Sequence, residues 1–137
     1  MKPTGLTLRK FLAPLLVAGA VLGIGRFWYG SMANFSARLA GHELAVEPMS
    51  VVIGKTESSE AEFCIRNLQA TPIMLVGASM PCNCMDISPI PTKVQGFSLA
   101  RIKVVLRKNA ANGVYKIAIL ADSHADKRVS LSVTVNR

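Results

Sequence analysis

The residues best suited to chemistry stand together in one short stretch, Met80-Pro81-Cys82-Asn83-Cys84-Met85. Two thiolates flanked by two thioethers form a soft donor set, and soft donors favour copper(I) over hard cations. In an extended chain, residues two apart share a face. Met80, Cys82 and Cys84 then align, while Met85 points away unless a turn at Asn83 returns it. Met74 and Met49 could add a ligand or simply fill the core. Zinc fits less well, because structural zinc takes four Cys or His ligands and its cysteine pairs are usually spaced more widely than Cys-x-Cys. A dinuclear copper centre would want histidines beside the cysteines, and His42 and His124 are far away in sequence. The same residues also have quieter uses. Cys82 and Cys84 can close a small-ring disulfide in an oxidising compartment. Extended residues i and i+2 lie about 6.6 Å apart, near the upper end of the Cα separation a disulfide spans, and a bond strained in that way is easily reduced. The pair can equally pack as free thiols beneath a proline-containing loop. Cys64 reads as a small hydrophobe in mid-strand, and an odd cysteine count leaves at least one without an intrachain partner. Thiol exchange lacks a Cys-x-x-Cys at a helix start to lower a thiol pKa.

Other apparent motifs fail on inspection. Gly54-Lys55-Thr56 ends like a phosphate-binding loop, but Met49 stands where its first glycine belongs. Ser123, His124 and Asp126 are triad residue types, yet neighbours within one turn cannot form the relay that a triad assembles in space. Glu60 and Glu62 share a strand face and read as solvated. Nothing in the chain makes a catalytic constellation, so no enzyme is expected.

What positions the cysteines begins with the compartment. Residues 11–25 carry no charge, Arg26 follows, and Phe27, Trp28 and Tyr29 come directly after it. Residues 11–29 as a helix at about 1.5 Å per residue cover roughly 28 Å, close to the thickness of a bilayer's hydrocarbon core. Arg26 can extend its stem along such a helix to the headgroups, and the three aromatic rings suit the interface. Lys2, Arg9 and Lys10 precede the run, which keeps the N-terminus in the cytoplasm and exports the remainder of the chain. The expected layout is a basic tail at residues 1–10, a transmembrane anchor at 11–29, a juxtamembrane connector at 30–47 and a folded domain at 48–137. A cleaved signal peptide shares many of these features, and Ser31-Met32-Ala33 offers small residues at a suitable spacing. Arg26 and the bulky aromatics, however, occupy the place of its short polar region. A core helix of a soluble domain is the third reading, opposed by the charge-free length. Asn34-Phe35-Ser36 also matches a glycosylation acceptor pattern.

The exported part is large enough for one small domain. The whole chain carries a net charge of +8. Lys2, Arg9, Lys10 and Arg26 account for four of the sixteen basic residues, leaving twelve against eight acidic ones, a net of +4. Lysines and arginines are scattered without a run, so nucleic acid is not an expected partner. Anionic headgroups or an acidic protein surface suit the charge better.

From Pro48 onward the pattern is of short β-type segments. Residues 50–54, 60–67, 73–78, 97–106, 114–121 and 129–135 read as strands, with turns at 69–72, 108–113 and 122–127. Ala61, Phe63 and Ile65 fall on one face of their segment, as do Val129, Leu131, Val133 and Val135 of theirs. Residues 81–95 hold three of the seven prolines, which makes them loop or edge and not central strand. The apolar parity switches within 97–106, which predicts a bulge or a change of neighbours there. Six or seven such strands predict an all-β sandwich preceded by one transmembrane helix.

The order Phe63-x-Ile65-x-Asn67, Pro72-Ile73, Val76, Cys82-x-Cys84, Pro89-Ile90, Gly96, Gly113 and a final strand resembles a largely uncharacterised bacterial family. Its members are exported immunoglobulin-like domains marked by a Cys-Gly-Cys-Thr signature. The likeness runs over roughly residues 46–136, with Asn83 in place of the glycine and Met85 in place of the threonine. It implies an immunoglobulin-like sandwich of about seven strands on the periplasmic side of the inner membrane. The functional expectation is a membrane-anchored, non-catalytic module that serves as an accessory or assembly subunit of a larger membrane complex. The alternative is a copper(I)-handling domain using Cys82, Cys84, Met80 and Met85.

Overall fold

The computed structural model describes residues 6–54, 59–107, 110–122 and 128–136, which fall into two compact units, Met1–Gly41 and His42–Arg137. The first unit is helical. Helix α1 spans Leu6–Tyr29 and contains Pro14. It starts five residues ahead of the apolar run, so the helix takes in Arg9 and Lys10. Within it, Leu12–Tyr29 has a mean hydropathy of 1.5 and is almost wholly exposed, long and apolar enough to cross a membrane. Gly30, at φ 74°, ends α1 in the left-handed conformation that favours glycine. Ser31 then caps α2, Met32–Leu39, by accepting from the Asn34 backbone N–H at 3.2 Å. The stretch read as connector thus contains a helix of its own.

The second unit is a two-sheet β-sandwich. Its strands are β1 (Leu44–Glu47), β2 (Ser50–Gly54), β3 (Glu60–Asn67), β4 (Ile73–Ser79), β5 (Met85–Ser88), β6 (Thr92–Val94), β7 (Leu99–Leu106), β8 (Gly113–Ala121) and β9 (Arg128–Asn136). A four-stranded sheet runs β1-β3-β7-β5, and a five-stranded sheet runs β2-β9-β8-β4-β6. All neighbours are antiparallel except β2 and β9, which pair in parallel. The described strands number nine, not about seven. The additions, β1, β5 and β6, have three or four residues each and lie on sheet edges. An edge strand needs partners on one side only, so a short segment beside prolines suffices. β1 also lies ahead of Pro48, inside the stretch read as connector.

Period-two burial builds the core. Phe63 and Ile65 of β3 and Ile102 and Val104 of β7 face Ile117 and Ile119 of β8 across the sandwich, all fully or nearly fully buried. The parity switch expected within residues 97–106 has a different cause. β7 keeps an unbroken register with β3 and β5, because Phe97 sits in the preceding turn at φ 54° and never joins the strand. The irregularity falls instead in β4, whose register with β8 shifts between Leu75 and Gly77.

One polar residue ties the two sheets together. Asn67, at the end of β3, is fully buried. Its amide Nδ2 donates to the Thr71, Val94 and Gln95 carbonyls at 2.8, 3.2 and 3.2 Å, and its Oδ1 accepts from the Gln69 N–H at 2.9 Å. Beside it, Gly96 passes so close to the main chain of Ala70 that a Cβ would stand 2.1 Å from the Ala70 carbonyl oxygen.

Candidate functional site

The Cys82-Asn83-Cys84 stretch bridges β4 of one sheet to β5 of the other. Asn83 and Cys84 form a turn, which brings the two Cα atoms to 5.2 Å, closer than an extended chain would hold them, and the sulfurs are bonded as a disulfide. Cys84 N–H also lies 3.3 Å from Cys82 Sγ. Cys84 is buried and Cys82 packs against the core, so the bridge closes one end of the sandwich interior. The proposed soft ligands have unlike surroundings. Met85 is a core side chain, 1% exposed, because β5 turns it inward opposite Leu106. Met80 is exposed, Met74 is half-buried on the outer side of β4, and Met49 is exposed ahead of β2. His42 is exposed in the segment leading to β1. Among the described residues, no group of three or more His, Cys, Asp or Glu side chains could hold a metal. Lys55 and Thr56, and the Ser123, His124 and Asp126 cluster, lie outside the described residues.

Cys64 is the remaining thiol, and it does not pack in the core as expected. On β3 it alternates with Phe63 and Ile65, which places it on the outer face of the four-stranded sheet, half-buried, in register with Glu47 and Arg101.

Next to the disulfide a cleft of about 240 Å³ opens between the two sheets, lined by Ala78, Met80, Asp86, Ile87 and Ile90. Sequence reading missed it because residues 81–95 read as proline loop. The alternation of Met85 and Ile87 with Asp86 and Ser88 was the available signal. At the rim, Arg107 donates to both Asp86 carboxylate oxygens at 2.8 and 2.9 Å. These hydrogen bonds, with help from the opposite charge, hold the Asp86 carboxyl below the usual carboxylate range. A depressed carboxyl stabilises the fold above its unfolded pKa, and that contribution is lost as pH falls through the lower folded value. Both groups are exposed, so the contribution is small and screened by salt. Scanning calorimetry of Asp86→Asn should therefore show a modest deficit at neutral pH that vanishes in acid. An equal deficit at both would contradict the pairing.

The residues assigned to the membrane interface end α1. Arg26 and Trp28 are exposed, Phe27 is 85% exposed, and Tyr29 stacks at a tilt on Phe35 with ring centroids 5.4 Å apart.

No family model matches the chain, and no curated protein matches it in sequence. Solved structures do match it in fold. The Pseudomonas aeruginosa CupB2 chaperone superposes with a TM-score of 0.56 at 15% identity, covering 67% of this chain and 54% of the chaperone. The E. coli chaperone DraB gives 0.53 at 16%, covering 67% and 52%. SSP-19, an MSP-domain protein like family member from Caenorhabditis elegans, gives 0.57 at 12%, covering 68% of this chain and 99% of SSP-19. The chain therefore spans about half of each chaperone and nearly all of the MSP-type domain. At these identities the likeness establishes a fold, a two-sheet sandwich of immunoglobulin or MSP type. Chaperones and MSP-family proteins, which are not enzymes, make up most of the neighbours.

Proposed function

We propose that this chain is a single-pass protein of the bacterial inner membrane, N-terminus inside, whose periplasmic sandwich docks non-catalytically as an accessory or assembly subunit of a larger membrane complex. The unequal dressing of the two outer faces carries the reading. The four-stranded sheet turns out Glu47, Glu60, Glu62, Arg66, Arg101 and Lys103, a mixed-charge surface that includes the Glu62–Arg101 pair at 3.6 Å. The five-stranded sheet turns out Val52, Val76, Val114 and Leu120 among serines and Thr134, and its charged residues, Lys93, Lys116 and Arg128, are all basic. Val52 of β2 and Val114 of β8 both stand in register with Thr134 of β9, at 58% and 64% exposure. A partly apolar sheet face whose charges are all of one sign suits burial against an acidic partner surface better than the mixed-charge face does. The copper(I) alternative has less to rest on, since Met85 is taken up by the core and the two cysteine sulfurs are bonded to each other.

Native gels of the full chain extracted in mild detergent test this. The wild type should migrate in an assembly larger than the monomer, and Val52→Glu with Val114→Glu should release it. Because both positions are exposed, the unfolding midpoint should stay close to wild type. Wild-type migration as a monomer alone would count against the reading.

A further inference from the structure

Helix α2 is too short to be stable in water by itself, yet it carries its own cap and is held against the end of α1 by three separate contacts. Ser31 caps its first turn. Asn34, buried although polar, donates from Nδ2 to the Tyr29 carbonyl at 3.1 Å, satisfying a terminal carbonyl of α1. Phe35 stacks on Tyr29. Gly25, buried in the last turns of α1, leaves room for Met32 and Phe35, whose atoms lie 2.9 and 3.6 Å from where a Cβ would be. The corner between the helices is therefore built, and α2 returns to the level of Gly25, one turn below the end of the span.

Met32, Phe35 and Leu39 fall at i, i+3 and i+7 and make one apolar stripe on α2. α1 covers part of its beginning, but Leu39 is 73% exposed, and the neighbouring end of α1 exposes Ile24, Phe27 and Trp28. Arg26 and Arg38 are the charges at this corner, and no acidic residue occurs before Glu43. An apolar stripe continuous with a membrane span, flanked by cations in a segment without acidic residues, complements an anionic bilayer surface.

We propose that α2 is an interfacial helix. It lies in the headgroup layer with Leu39 dipped into the acyl boundary and Arg26 and Arg38 among lipid phosphates, and so fixes the depth at which the chain leaves the membrane. This rests on the reading of α1 as a retained anchor. Trp28 is the sole tryptophan, which supplies the test. The full chain is reconstituted into vesicles of equal parts phosphatidylglycerol and a phosphatidylcholine brominated near the top of its acyl chains. Trp28 emission is compared with that of Leu39→Trp in a Trp28→Phe background. Both reporters should be quenched roughly twofold relative to unbrominated vesicles, as expected for side chains at about 5–10 Å depth. Quenching of Trp28 with none at position 39 and free access of acrylamide there would put α2 in water and overturn the proposal while leaving the anchor standing. Blue-shifted emission at position 39 without quenching would mean that protein covers the stripe, and would overturn it too. Absence of quenching at both positions would remove the anchor, and this proposal with it.

Discussion

Replacing Asn67 with leucine should lower the stability of the sandwich by roughly 3–5 kcal/mol, because one buried and three partly buried main-chain hydrogen bonds would be lost, and a buried group left without a partner costs about 1–3 kcal/mol. Three carbonyls and one N–H now meet the Asn67 side chain, and leucine of similar size answers none of them. Some would find water, which keeps the total below the sum. For a domain of this size the unfolding midpoint should fall by more than about 10 °C. Asn67→Asp separates hydrogen bonding from volume. It keeps an acceptor for Gln69 N–H but points an oxygen at the carbonyls, so it should be at least as damaging at neutral pH. A loss under about 1 kcal/mol for Asn67→Leu, read by calorimetry or urea titration, would mean that the network does not hold the sheets together.

The second large effect is expected at Gly96. Alanine there would place its Cβ 2.1 Å from the Ala70 carbonyl oxygen and 2.6 Å from the carbonyl carbon. Those are main-chain atoms, so no rotamer change relieves the overlap and the segment around Ala70 must move. Overpacking of this kind costs about 1–3 kcal/mol and sometimes more. The cost should also couple to Asn67. The displaced segment carries the Gln69 carbonyl that accepts from Phe97 N–H at 2.9 Å, and the Thr71 carbonyl that accepts from Asn67 at 2.8 Å. Once Gly96→Ala has moved that segment, losing Asn67 should cost less, and the double variant should fall short of additivity by about 0.5–3 kcal/mol. Full additivity would show two independent sites.

These two residues also mark how far the sequence can be read. Phe63-x-Ile65 declared a core strand because alternation is a local signal, and the same holds for Val129 to Val135. The long strands β3, β8 and β9 were legible for that reason. Asn67 was visible as part of a family-like pattern, but nothing local says that an asparagine at a strand end will reach carbonyls some 27 residues away. The edge strands β1, β5 and β6 were hidden because pairing on one side tolerates composition that central strands reject. The bulge was expected in the wrong strand, since Phe97 mimics a strand residue until its backbone is seen in the left-handed region. The cysteines showed their proximity and not their state, and the turn at Asn83 that brings them together depends on how β4 and β5 join different sheets. The apolar helix was plain from composition. The fixed corner with α2 depends on a close approach at Gly25 that no periodicity reveals.

The parallel pairing of β2 with β9 has one more consequence, for the order of biosynthesis. β2 is made early and has β9 as its only sheet neighbour, while β8 has β9 on one flank. Until residues 128–136 have left the ribosome, the five-stranded layer lacks the strand that joins β8 to β2, and its outermost ribbon has nowhere to lie. The sandwich is therefore latched by β9, the latest of its described strands to be made, and a chain that stops before it leaves the space between the layers open on one flank.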